Sequence, residues 1–100
     1  MQHDISLLLN VTKSEKSFKK IFGIVSPHAG YIYSGKTAAY VYNLLKDKSY
    51  NTVIIISPSH AEYFPGISIY DGDAYETPLG IVEIDQIMTD ELVKNSKTIF

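Results

Sequence analysis

The sequence predicts an α/β fold centred on a parallel-sheet βαβ core with additional strands beside it. Three observations lead there. Two apolar runs, Ile21-Phe22-Gly23-Ile24-Val25 and Val53-Ile54-Ile55-Ile56, lack the polar alternation of a half-exposed strand and read as strands covered on both faces. Between them Ala38, Ala39, Val41, Tyr42, Leu44 and Leu45 recur at helical spacing. The runs also lie about 30 residues apart, the length that a strand, a crossover helix and a second parallel strand require. Such a crossover is right-handed by strong expectation.

In chain order, residues 4 to 10, with Ile5, Leu7, Leu8 and Leu9, form the end of an amphipathic helix that stops near Asn10 and the polar stretch Thr12 to Ser17. The first strand is Phe18 to Ser26. Gly35 to Lys46 is the crossover helix, with Ser34 as its cap. Asn51 to Ser57 is the second strand, β-branched almost throughout. Gly66 to Tyr70 and Ile81 to Ile84 alternate in polarity and read as half-exposed strands. The turn signals Asp71-Gly72-Asp73 and Thr77-Pro78-Leu79-Gly80 separate them. Asp85 caps a last helix from Gln86 to about Lys94, with Ile87, Met88, Leu92 and Val93 inward. Tyr40, Tyr42 and Tyr70 fit packing positions.

This account does not balance. A parallel sheet needs helices on both faces, and residues 1–100 offer one complete helix, one incomplete at the start and one near the end. The chain is therefore expected to be a partial single domain, completed by another subunit or by a longer polypeptide. An open sheet edge favours self-association.

Composition excludes several classes of function. One hundred residues with 45% apolar and 20% charged side chains describe one globular domain. Nine basic against eleven acidic residues give a net charge of −2, so nothing recommends nucleic acid or an anionic membrane as partner. The local excess Lys13, Lys16, Lys19 and Lys20 is explained by a solvated face. There is no cysteine, so any metal would need nitrogen and oxygen ligands. No apolar stretch approaches the ~20 residues of a membrane span, and the cytoplasm is the expected compartment.

The residues that could carry chemistry follow the two strands. Each run ends in Ser-Pro and then histidine: Ser26-Pro27-His28, and 32 residues after that histidine Ser57-Pro58-Ser59-His60. Proline cannot donate to a ladder, so it ends the pairing and fixes the direction of the next residues. In open α/β sheets ligands bind in the crevice outside the carboxyl ends of the strands. Adjacent strands lie ~4.8 Å apart, so imidazoles from neighbouring strand ends could reach one ion. A loop histidine bonded to a carbonyl explains either one alone; the matched surroundings and the spacing favour a shared site.

Two imidazoles do not complete a metal site. Non-haem iron centres add a carboxylate, and catalytic zinc sites have three protein ligands. Glu62, two residues from His60, could join or orient the ligand set, against the plainer reading of an exposed loop glutamate. Asp71 and Asp73 read as turn residues, and Asp85 as a cap. Of the eight tyrosines, Tyr31, Tyr33 and Tyr63 flank the histidines, where a phenol could bond a substrate or move a proton. Tyr75 also falls in a loop. No Gly-x-Ser-x-Gly elbow supports a hydrolase, and Gly30 and Gly35 are too far apart to cradle a phosphate.

Pro27-His28-Ala29-Gly30-Tyr31-Ile32-Tyr33-Ser34-Gly35, then Ser57-Pro58-Ser59-His60, then Tyr75-Glu76-Thr77-Pro78-Leu79-Gly80 followed by Asp85, resembles the Memo family in order and spacing over about residues 20–95. In microbes that family supplies component B of the AmmeMemoRadiSam system. The resemblance implies a fold similar to class III extradiol dioxygenases, which hold non-haem iron by two histidines and a carboxylate. It implies His28 and His60 as metal-ligating pocket residues. Iron is the first expectation, with zinc or copper behind it. The family resembles one domain of nearly three times this length, whose later half carries further aspartate, histidine and cysteine pocket residues. These hundred residues look like its amino-terminal portion, so a dioxygenase-like or redox activity is not expected of them alone. The alternative is a non-catalytic module that binds a peptide or small molecule in the same crevice.

Overall fold

The computed structural model describes residues 2–12 and 18–100. Lys13 and Lys16 of the basic cluster, and most of the polar stretch after the first helix, lie outside them. The chain divides into two compact units, Met1–Tyr50 and Asn51–Phe100.

The first unit is built on two helices, α1 (Gln2–Val11) and α2 (Lys36–Asn43), the latter entered through a π-helical turn at Tyr31–Gly35. Ile5, Leu8, Leu9 and Thr12 follow helical spacing on α1 and are the residues withdrawn from water there. The face of α2 toward them is Gly35, Ala39 and Asn43, four residues apart. Gly35 and Ala39 are buried, and a Cβ on Gly35 would stand 3.2 Å from Leu8 Cδ1. A small residue is thus what lets α1 approach.

A polar junction closes the end of α1. The last four carbonyls of a helix lack partners within it. Here the Thr12 hydroxyl, fully buried, donates to the Leu8 carbonyl at 2.7 Å. The Asn43 amide donates to the Leu9 carbonyl at 2.8 Å and to Thr12 Oγ1 at 2.7 Å. One side chain from the end of α2 therefore satisfies two acceptors at the end of α1.

Several expectations are corrected in this unit. Ser34 does not cap α2; its hydroxyl donates to the Ala29 carbonyl at 3.0 Å, and the π-turn places Gly35 at the cap without a side-chain bond. The helix ends at Asn43, because Leu44 and Leu45 tighten into bonds with carbonyls three residues back. Tyr40 and Tyr42 are about half exposed, since the glycine–alanine–asparagine face has taken the contact with α1. The segment expected as the first strand, 18–26, forms no ladder. It is held by two side chains of the same unit, Lys48 Nζ to the Phe18 carbonyl at 2.6 Å and Tyr50 hydroxyl to the Ile21 carbonyl at 2.8 Å. Phe22 and Val25 keep 91% and 94% of their surface exposed.

In the second unit an antiparallel hairpin joins β1 (Ala74–Thr77) to β2 (Gly80–Glu83), in the register Tyr75↔Val82 and Glu76↔Ile81. The expected turn Thr77-Pro78-Leu79-Gly80 forms, closed by the Thr77 hydroxyl donating to the Gly80 carbonyl at 2.8 Å. The strand arms differ from expectation: β1 is Ala74–Thr77 rather than 66–70, because the turn selects its own flanking residues. Ile67 instead forms a parallel bridge with Ile99, with Ile67 N to Thr98 O at 2.7 Å and Phe100 N to Ile67 O at 2.9 Å. The intervening hairpin and helix α3 (Gln86–Asn95) supply the long connection that parallel pairing needs. Gly66 precedes the bridge at φ +97°, where an added Cβ would collide with the Thr98 carbonyl oxygen.

Asp85 caps α3, accepting from Met88 N at 3.0 Å. Met88 and Leu92 are half-buried as expected, but Ile87 is 77% exposed and Val93 40%. Tyr70 is half exposed too, its ring tilted against Tyr75 at 5.1 Å rather than packed in a core. The second expected strand, 51–57, lies outside helix, turn and ladder, with Ile55 and Ile56 at 85% and 87% exposure.

The parallel core of the expected βαβ unit is therefore not formed among the described residues, whose one sheet is the β1–β2 hairpin. Ladders need a neighbour, and high β-propensity in one segment does not supply it.

Two substitutions probe these junctions. Asn43→Ala leaves the Thr12 hydroxyl and Leu9 carbonyl short of a partner and is expected to destabilise the α1–α2 pair by about 1–3 kcal/mol, read as faster amide exchange along α1. Gly66→Ala forces a side chain into positive φ, at a cost of at least about 1–2 kcal/mol. It is expected to release the Ile67 and Ile69 amides to exchange; unchanged protection would contradict the role of Gly66.

Candidate functional site

His28 sits in the first unit, in the loop between Pro27 and the π-turn. Ser34 holds that loop by its bond to the Ala29 carbonyl, and Gly30 accepts from Tyr33 N and Ser34 N at 2.9 and 3.1 Å. The bonds fold 28–35 back on itself within one turn. His28, Tyr31 and Tyr33 are all exposed, and Ile32 between the tyrosines is 95% exposed. π-Turns inside helices are rare and frequent at functional sites.

His60 sits in the second unit, at the head of a Ser/Thr-type turn. The Ser59 hydroxyl donates to the Glu62 carbonyl at 2.7 Å and accepts from Glu62 N at 3.3 Å. Ser59 thus shapes the loop that presents His60, Ala61 and Glu62. Tyr63 follows at 97% exposure, and Phe64 anchors the loop by an edge-to-face contact with Phe100 at 5.8 Å. Each of these loop bonds joins residues of one unit.

Asp71 and Asp73 fall at the bend their turn reading placed them in, and Asp85 at its cap. Asp73 contributes its carbonyl to Ile84 N at 2.9 Å, Asp71 is exposed beside the Gly72 bend, and Glu76 lies opposite Ile81 in the hairpin. Among the described residues no group of three or more His, Asp or Glu side chains is placed to hold a metal.

Sequence reasoning missed a groove of about 570 Å³ in the second unit, lined among others by Thr52, Ile54, Tyr75, Ile84, Asp85 and Met88. The signal for it was the 51–57 run, whose apolar faces find no cover. At its edge the Thr52 hydroxyl donates to Asp85 Oδ2 at 2.5 Å. That bond, and next the Met88 amide, hold the Asp85 carboxyl below its ordinary value of 3.8.

A Memo-like protein family model matches residues 2–100, a stretch that contains both histidine loops. The chain belongs to the Memo-like protein family. A MEMO1 family protein of Thermoplasma volcanium is 46% identical over 90 residues, covering 90% of this chain and 33% of the relative. One from Aquifex aeolicus is 42% identical over 90 residues, covering 90% and 32%, and one from Nitrosopumilus maritimus 42% over 79 residues, covering 79% and 29%. This Memo-like chain thus spans about a third of the length of the curated relatives it matches. No solved structure matches it. No helix among the described residues is long and apolar enough to cross a membrane.

The Asp85 cap makes a pH prediction. A carboxyl whose folded value lies below the unfolded one stabilises fully above about pH 3.8 and loses that contribution as pH falls through the lowered folded value. Helicity of α3 is expected to decline on that acid limb in the wild type. Asp85→Asn, which keeps a capping oxygen but does not titrate, is expected to flatten it, as followed by NMR shifts of Met88 and Thr89.

Proposed function

We propose that this chain contributes the two histidine loops of a metal-dependent, dioxygenase-like or redox pocket of a Memo-like domain, with His28 and His60 as ligands. In that reading the Ile21–Val25 and Val53–Ile56 runs are neighbouring parallel strands of the complete domain, whose carboxyl ends carry both imidazoles to one crevice. Tyr31, Tyr33, Tyr63 and Glu62 lie around the substrate. His28 and His60 would hold a divalent ion, iron before zinc or copper, which would supply Lewis-acid or redox chemistry when bound. The family match across residues 2–100 carries the proposal, supported by the repeated Ser-Pro ending before each histidine.

The exposure of Ile32, Tyr33 and Tyr63 supports a second reading, in which the same crevice binds a peptide or small ligand without turnover. Apolar and aromatic side chains held in water are the ordinary lining of a recognition surface.

Two measurements decide between them. The purified hundred-residue chain, incubated with iron(II) or zinc(II) and then dialysed, is expected to retain metal well below one equivalent. Tight stoichiometric retention, abolished by His28→Ala and His60→Ala, would overturn the claim of an incomplete ligand set. Grafted into a relative of full length, the sequence is expected to confer metal content that either substitution removes. Ligand affinity that survives metal removal there favours the binding module.

A further inference from the structure

The His60 loop belongs to a span with an anchor at each end. Residues 53–63 run between Thr52, whose hydroxyl donates to Asp85 Oδ2 at 2.5 Å, and Phe64, whose ring meets Phe100 edge-on at 5.8 Å. The two anchors differ in kind. A ring contact resists separation and tolerates sliding, whereas a hydroxyl on a carboxylate oxygen fixes distance and direction, and bonds to an ionised group are the strong ones. The Thr52 bond is also the first cause of the lowered Asp85 carboxyl, ahead of the Met88 amide.

Asp85 is itself held in place. Its Oδ1 accepts from Met88 N at 3.0 Å, so one oxygen serves α3 and the other serves the 51–57 run. On its two sides Ile84 N donates to the Asp73 carbonyl at 2.9 Å, and Gln86 Nε2 to the Gly72 carbonyl at 2.7 Å. Both neighbours of Asp85 are thus tied to the 72–73 bend. A helix cap needs one acceptor oxygen, yet the second oxygen of Asp85 is engaged with a residue 33 positions away.

We propose that Asp85 is a positioning residue for the His60 loop: through Thr52 it sets the direction in which the 53–57 run leaves α3, and so where that loop is delivered. His60 follows Thr52 by eight residues, with Pro58 holding its own φ fixed among them. Ser59 then closes the turn on Glu62, so a change of direction at Thr52 is carried to His60. The role of His60 as a ligand rests on the reading above, and the steering of its loop does not.

Three variants separate this role from the cap. Thr52→Val removes the donor and keeps the shape, Thr52→Ser keeps the donor, and Asp85→Ser keeps a capping oxygen for Met88 N but has no second one for Thr52. In the hundred-residue chain with chelator present, Thr52→Val and Asp85→Ser are expected to lose the orientation that the 53–62 amides share with α3, read as collapsed residual dipolar couplings. The ¹³Cα shifts of α3 are expected to stay helical. Thr52→Ser is expected to keep the couplings. The Asp85 carboxyl is expected to titrate closer to its ordinary 3.8 in Thr52→Val and to stay low in Thr52→Ser. Couplings unchanged in Thr52→Val, or lost equally in Thr52→Ser, overturn the positioning role; should Asp85→Ser melt α3, Thr52→Val decides, since it leaves the cap intact. In a full-length relative carrying this sequence, Thr52→Val is expected to weaken iron(II) binding about tenfold, the low end of what losing a ligand's support costs, where His60→Ala removes it. Binding that His60→Ala lowers and Thr52→Val does not also overturns the positioning role. Binding indifferent to His60→Ala instead refutes the ligand reading, and the couplings still decide the part played by Asp85.

Discussion

Two apolar runs, 21–25 and 53–56, set the terms for the rest of this chain. Each is followed by Ser-Pro, each asks for cover on two faces and pairing on its edges, and neither enters a ladder among the described residues. A β-branched strand gains most of its stabilisation from cross-strand and same-face neighbours rather than from its own backbone preference. Without them the run stays in water, and burying a Val or Ile side chain, typically about 1.5–3 kcal/mol, is forgone at each position. A few hydrogen bonds then carry the order that remains: Thr12 and Asn43 at the end of α1, Asp85 at the start of α3, and the short Thr98–Phe100 ladder on Ile67.

What the sequence made legible follows the same division. The last helix, its aspartate cap and the Thr77–Gly80 turn depend on residues within a few positions of one another, and all three form as read. The first helix also forms, one turn longer at its termini than its apolar stripe suggested, because fraying ends are set by partners such as Asn43 that lie far away in sequence. The failures are non-local. Ile67 found Ile99 across some thirty residues, a pairing that no alternation pattern announces. Tyr40 and Tyr42 looked like core at helical spacing, yet the helix turned its glycine, alanine and asparagine inward, since close approach of α1 needed small residues at that face.

The histidine loops divide in the same way. Their local shape is written in adjacent residues: Ser34 reaching back to Ala29, Ser59 closing on Glu62, and a proline fixing the entry to each. These bonds restrict each imidazole-bearing loop without calling on the sheet. His28 and His60 belong to different compact units, and on the proposed reading a completed ladder between their parent strands is what brings the two imidazoles together.

That separation of roles gives metal affinity an interpretive value. If loop geometry is set locally and loop spacing is set by the sheet, a metal ion that needs both imidazoles reports on strand pairing as much as on ligand chemistry. Coupling of metal binding to folding is general, since a site absent from the unordered state contributes its binding free energy to order. On the proposed reading, an ion held by His28 and His60 would therefore favour the arrangement in which 21–25 and 53–56 lie side by side.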